Sequence, residues 1–389
     1  MKLNLKKCES FIISLYNSDG SFSFSNENRI SNLLSTCFGV LSLSLLNKTD
    51  KIDKTKTIDY ILKFYDKESG YFIDLSIKQK KHKKKHDWDY LMMQKTDFAL
   101  LALQCLNYDK RIALPFLKDY KKDIESFLKK LNWSNPWSCS NKVMFILNFL
   151  IYESKNNKKY ALEILSWLNL HQEEKTGFWN LGNKVSLFNQ MAGAYHFMFY
   201  YTYFKTKPNY INKIIDSTLL LQNYDSLFSY AGGGGSCEDL DAIDLLCRES
   251  KLTNYHKTEI KTALENAYNV LVNLQNEDGG FCWAKRDKIN FRQLTHLINL
   301  NLLNNASFVD FKENIKEKLI NLILTVLNPR LLIWRQGGIK KMQIKLASSD
   351  LWSTYARLLT ISLIEERYPQ IDNKIKWNYL NFPGIGYVE

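Results

Sequence analysis

Hydrophobic positions along this chain fall into two alternating kinds of segment. In the first they recur every three or four residues, as at Ile260, Leu264, Tyr268, Leu271 and Leu274, which makes one stripe along a helix. In the second nearly every position is apolar: residues 190–204 read QMAGAYHFMFYYTYF and residues 97–106 read DFALLALQCL. A helix that is apolar on every side has to be covered on every side. Short turns holding Gly or Asn beside an aromatic separate the segments. They read NSDGSFSF from Asn17, DKESGYFID from Asp66, NWSNPW from Asn132, QEEKTGFWN from Gln172, QNYDSLFSY from Gln222, QNEDGGFCW from Gln275 and LNPRLLIW from Leu327.

Most of these turns lie roughly 50 residues apart, a period that implies stacked supersecondary units. The pattern predicts amphipathic first helices in an outer ring and apolar second helices in an inner ring. The expected fold class is all-α, an (α/α) toroid or barrel of about six or seven helical hairpins. An open solenoid would need more amphipathic second helices. Glycine in the turns supplies the positive φ at which outer helices end. The toroid is assigned to residues 1–376, with a basic insertion at about 78–87. The tail from Trp377 to Glu389, WNYLNFPGIGYVE, is not a repeat and reads as an ordered strap across the barrel.

Composition narrows the class without naming a reaction. With 45% hydrophobic and 24% charged residues among 389, the chain has globular composition rather than that of a disordered protein. Six prolines suit long uninterrupted helices. No apolar run approaches the ~18 residues of a membrane span, and the start reads as carrying no signal peptide, so a soluble protein is expected. Seven scattered cysteines without a C-x-x-C fit reduced thiols and a cytoplasmic location. The net charge of +13 owes much to KQKKHKKKHDWDY, Lys78–Tyr90. That tract reads as a solvated loop, or as a collar for an anionic substrate or an acidic membrane surface touched peripherally. It lacks arginine and any recognition motif, so nucleic acid is not expected as a partner.

QNEDGGFCW, Gln275–Trp283, resembles the Q-W motif of squalene–hopene and related terpene cyclases, and the Q-x-x-x-G-G-F turn of protein prenyltransferase β subunits. HQEEKTGFWN, His171–Asn180, is a second copy. The resemblance implies an (α/α) toroid whose central cavity opens at the N-terminal ends of the inner helices. Asp239-Leu-Asp241-Ala looks like the D-x-D-D acid motif of class II cyclases, in which the middle Asp, here Asp241, protonates an alkene or epoxide. The last Asp of that motif is Ala242 in this chain. Prenyltransferases bind zinc through D-x-C and a later His; here the order is Cys237-Glu238-Asp239, with His296 downstream. No metal site is assigned and no cofactor is expected, with zinc or magnesium left open.

The residues themselves allow a bland and a sharp reading. Ser236 after four glycines reads as an N-cap, Asp239 as its capping-box partner, Glu238 as a complement to the helix dipole, and Asp244 with Arg248 as a surface pair. Asp241, one turn into an apolar helix, is not explained by capping; facing a cavity, it would be a desolvated acid able to donate a proton. Asp97 and Asp350 read as openers of inner helices, and a toroid would bring them to one rim with Asp239 and Asp241. His196 reads as a core histidine or a base. Tyr195, Trp88, Trp283, Trp352, His296, Glu238 and Cys237 complete the candidate site. Three functions stay open: a cyclase- or prenyltransferase-like enzyme on an isoprenoid, a sugar-active toroid enzyme (lyase, hydrolase or glycan-biosynthesis enzyme) with two carboxylates, and a non-catalytic scaffold. Substrate and oligomeric state are not specified.

Overall fold

The computed structural model describes residues 3–75, 88–229, 232–285, 333–369 and 376–389, with Lys312, Leu319 and Ile323. The basic insertion, His296 and most of the seventh turn lie outside the described residues.

Six buried helices form the inner ring: α2 (Leu33–Leu45), α4 (Trp88–Cys105), α7 (Pro136–Glu153), α9 (Leu187–Tyr203), α11 (Ser236–Leu252) and α13 (Leu351–Arg367). Each packs on the next, and α13 packs back on α2, which closes the circle. The outer layer is α1 (Leu5–Ser14), α3 (Lys54–Leu62), α5 (Leu117–Lys122), α6 (Ile124–Lys130), α8 (Lys158–Leu170), α10 (Ile211–Leu220) and α12 (Lys257–Leu271). The division follows the sequence pattern. Every residue of α2 is buried, whereas α12 buries one stripe, Ile260, Ala263, Leu264, Ala267 and Leu271.

The turns connect one hairpin to the next. Gln172 Oε1 accepts the Asn209 and Tyr210 N–H groups at 2.7 and 3.1 Å, at the start of α10, while its Nε2 donates to the Gly177 carbonyl at 2.7 Å. Gln275 does the same with Asn4 N (2.9 Å) and Gly279 O (3.0 Å). So α1, first in sequence, sits beside α12 and completes the outer layer. Gly279 has a φ of +92°, and a Cβ there would come within 2.2 Å of the Lys7 carbonyl, so both conformation and contact demand glycine. The fifth turn has Ser226 at the corresponding place, with φ +66°.

These turns also fix the rotation of the inner helices. The buried aromatics Phe22, Phe72 and Phe281 donate their N–H groups to Thr36, Thr96 and Thr354 Oγ1 at 3.1, 3.0 and 3.0 Å. The threonine faces outward, so with 3.6 residues per turn the opposite face looks at the ring axis. Phe38, Phe98 and Trp352 meet there. The Phe98 and Trp352 rings are 5.8 Å apart although α2 separates their helices, and Phe38 touches both at 5.1 and 4.9 Å. The lumen is thus narrow and aromatic.

Both ends of the lumen are covered. At the N-terminal mouth lies an antiparallel hairpin, β1 (Ile333–Arg335) and β2 (Gln343–Lys345). Its Trp334 stacks on Trp283 at 4.7 Å and on Phe24 at 5.9 Å. At the other end the C-terminal strap binds Leu45 O through Asn378 N (3.0 Å) and Ser362 O through Tyr379 (2.9 Å). Its Ile385 carbonyl accepts from Tyr355 at 2.7 Å. The strap therefore seals the end away from the mouth.

Candidate active site

In α11 the place of the outward threonine is taken by Asp239. Its Oδ1 accepts the Phe228 N–H at 2.7 Å, and its Oδ2 accepts the Gly235 N–H at 3.0 Å and the Arg357 guanidinium. Arg357, on α13, also donates to the Trp283 carbonyl at 2.8 Å. Both ionic side chains are fully buried. A Cβ on Gly234 would lie 2.8 Å from Arg357 Nη2 and 3.0 Å from Asp239 Oδ2, which explains glycine there as room for this pair. Asp239 is thus a structural tie between two inner helices, not a free acid. The N-cap of α11 is Gly235 rather than Ser236.

With Asp239 facing outward, Cys237, Asp241, Asp244 and Arg248 fall on the axial face of α11. Arg248 Nε donates to Asp244 Oδ2 at 2.7 Å, in a buried pair rather than the expected surface one. Asp241 is 2% exposed, and its Oδ2 is buried without a hydrogen-bond partner. Burial pushes its carboxyl well above the usual range, and the charges of Glu238, Asp244 and Asp239 add to that. Tyr195 of α9 stands in the field of Asp244 and Asp241 and is itself buried.

The other expected acids stand elsewhere. Asp97 does not open α4, which begins at Trp88; it lies more than two turns inside. Its Oδ1 accepts from Asn148 Nδ2 at 2.7 Å, and Asn148 Oδ1 accepts from Tyr200 at 2.7 Å. Asp350 caps α13, with Ser353 N at 2.8 Å. Burial raises each of these two carboxyls to about 7. The charges that raise Asp241 come from its own helix, whereas Asp97 is tied to Asn148 of α7 and Asp350 to the first turn of α13.

His196 turns toward α7, where its Nδ1 meets Ser140 Oγ at 2.9 Å; burial drops its pKa to about 3, so it is neutral. Trp88 is 52% exposed at the start of α4. Trp283 joins the stack at the mouth, Trp352 lies in the lumen, and Cys237 and Glu238 are half-buried. The sequence does not single out Arg357, Phe38 and Phe98 as site residues. Arg357 had a signal: a lone arginine inside LWSTYARLLTISLI needs a buried partner.

The zinc ligand set of the prenyltransferases does not fit these residues. Asp239 has both oxygens engaged, and its cationic partner is a guanidinium. Among the described residues no three His, Cys, Asp or Glu side chains form a metal-binding group.

The family model of the prenyltransferase alpha-alpha toroid domain matches residues 2–93, 106–288 and 295–381. The chain belongs to that family, whose members share this ring of paired helices. Among curated proteins none matches the sequence. No described helix is long and apolar enough to cross a membrane.

Proposed function

We propose that this member of the family is a cyclase-like enzyme in which Asp241 protonates an isoprenoid-type substrate inside the lumen. The observation that carries the reading is the buried Asp241 carboxyl, its Oδ2 without a partner, on the axial face of α11, in a lumen that also holds Phe38, Phe98 and Trp352. Burial favours the neutral acid at pH 7, so the proton is in place before substrate arrives. Transfer from Asp241 to an alkene or epoxide leaves a carboxylate and a carbocation. Facing aromatic rings stabilise that cation by about 1–2 kcal/mol each when water is excluded, and the strap and hairpin help to exclude it. Ala242 removes the flanking acid of the D-x-D-D motif, so the proton donor relies on burial and on Asp244 one turn away.

The test is product analysis by gas chromatography and mass spectrometry after incubation with linear polyprenyl hydrocarbons, epoxides and diphosphates. Asp241→Asn should lower turnover about 10²–10⁴-fold, the usual weight of a general acid, with an unchanged circular dichroism spectrum. A folded Asp241→Asn variant with full turnover overturns the assignment.

A further inference from the structure

A cavity of about 290 Å³ lies at the end of the ring opposite the mouth, between the C-terminal ends of α9, α11 and α13 and the last residues of the strap. Its floor is apolar, from Tyr201, Cys247, Leu363 and Val388. Its wall carries the cations Lys205, Lys207, Arg248, Lys251 and Arg367, against the carboxylates Asp244, Glu366 and Glu389. Several of these charges are already committed. Arg248 is paired with Asp244, Lys205 with Glu389 at 3.4 Å, and Arg367 donates to Ser250 Oγ and O at 2.8 and 2.9 Å. No ion pair among the described residues engages Lys207, Lys251 or Glu366, although Lys251 lies in the field of Asp244, and the Thr206 hydroxyl oxygen is buried without a partner.

We propose that this cavity is a binding site for a small amphiphilic anion, a phosphate monoester on a short alkyl chain. Lys207 and Lys251 outnumber the one carboxylate left without an ion pair, Glu366, so the wall is net positive toward an anionic head, and the orphan Thr206 hydroxyl donates the hydrogen bond that it lacks. The alkyl chain covers the floor of Leu363, Tyr201, Cys247 and Val388. At roughly 30 Å³ for each water-sized group, 290 Å³ holds about ten such groups, which is the size of butyl phosphate. The competing account is that the lysines only complement the negative helix ends; it explains neither the concave apolar floor nor the unpaired hydroxyl. The proposal does not depend on the role of Asp241.

Isothermal titration of the full chain with n-butyl phosphate at low ionic strength tests it. Wild-type protein should bind, and the joint substitution Lys207→Ala with Lys251→Ala should weaken binding by about tenfold or more, the weight of a charge-assisted contact. Leu363→Trp, which intrudes on the apolar floor, should weaken binding severalfold, whereas Asp241→Asn should leave it unchanged. Inorganic phosphate and n-butanol should each bind more weakly than the ester. Thr206→Val, a near-isosteric change, should weaken binding severalfold and serves if the lysine variant does not fold. No heat from wild-type protein, affinity that survives both the lysine and threonine substitutions, or inorganic phosphate matching the ester would overturn the proposal.

Discussion

The Asp239–Arg357 pair lends itself to a thermodynamic cycle with a built-in control. In α2, α4 and α13 the place of Asp239 is held by Thr36, Thr96 and Thr354. Three residues further on, where α13 has Arg357, the chain has Gly39, Ala99 and Ala242. Arg357→Ala alone strands a carboxylate that is 0% exposed, and Asp239→Thr alone strands a guanidinium that is 0% exposed. Each should lower stability by about 3–5 kcal/mol, the usual result of breaking a buried pair. The double substitution restores the chemistry of those three repeats. It retains an acceptor for the Phe228 N–H, but it frees the Gly235 N–H and the Trp283 carbonyl and leaves a cavity, at about 3 kcal/mol in all. The coupling energy should therefore be at least about 3 kcal/mol. Urea unfolding followed by far-UV circular dichroism, with slopes compared among the four proteins, measures it. Single variants within about 1 kcal/mol of wild type, or a double variant equal to the sum of the singles, would refute the reasoning.

Other expectations follow from the same geometry. Asp97 carries a carboxyl raised from 3.8 to about 7, so folding is penalised progressively as pH rises between those values. Asp97→Asn should gain stability relative to wild type from pH 4 to pH 7, by up to about 4 kcal/mol, and a flat difference across that range would contradict it. His196 is depressed from 6.5 to about 3, so the stability its neutral ring gives is present above 6.5 and drains away as pH falls toward 3. Its ring should show no titration by nitrogen-15 NMR between pH 8 and 5; an imidazolium signal in that window would count against its burial. Gln275→Ala removes the bonds to Asn4 and Gly279, worth about 1–3 kcal/mol together, and should speed amide exchange in α1. Unchanged exchange across residues 5–14 would show that the clasp is not what holds α1.

The ring was legible because its cause is periodic. A turn with glycine and an aromatic, followed by an all-apolar helix, recurs often enough to predict both layers before any coordinate is known. What the sequence hides is rotational phase. Asp97 after Lys95-Thr96 reads as a helix opener, yet α4 already spans Trp88–Cys105 and holds Asp97 in its interior. Asp239 and Asp241 differ by two positions, which is about 200° around a helix, so one faces outward to Arg357 and the other faces the axis. Only the hydrogen bond from Phe228 N fixes which is which. Gly234 is similarly opaque, because the space it leaves is taken by a guanidinium brought from residue 357.

The clasp between Gln275 and Asn4 joins positions that are 271 residues apart. During synthesis the first outer helix leaves the ribosome long before its neighbour exists. A nascent chain that has grown through α10 is an open arc with apolar flanks at both edges. Such arcs gain their last contacts in a single late step, so the protein should need protection from association until that step, and a split into two co-expressed fragments should be tolerated best where two hairpins meet.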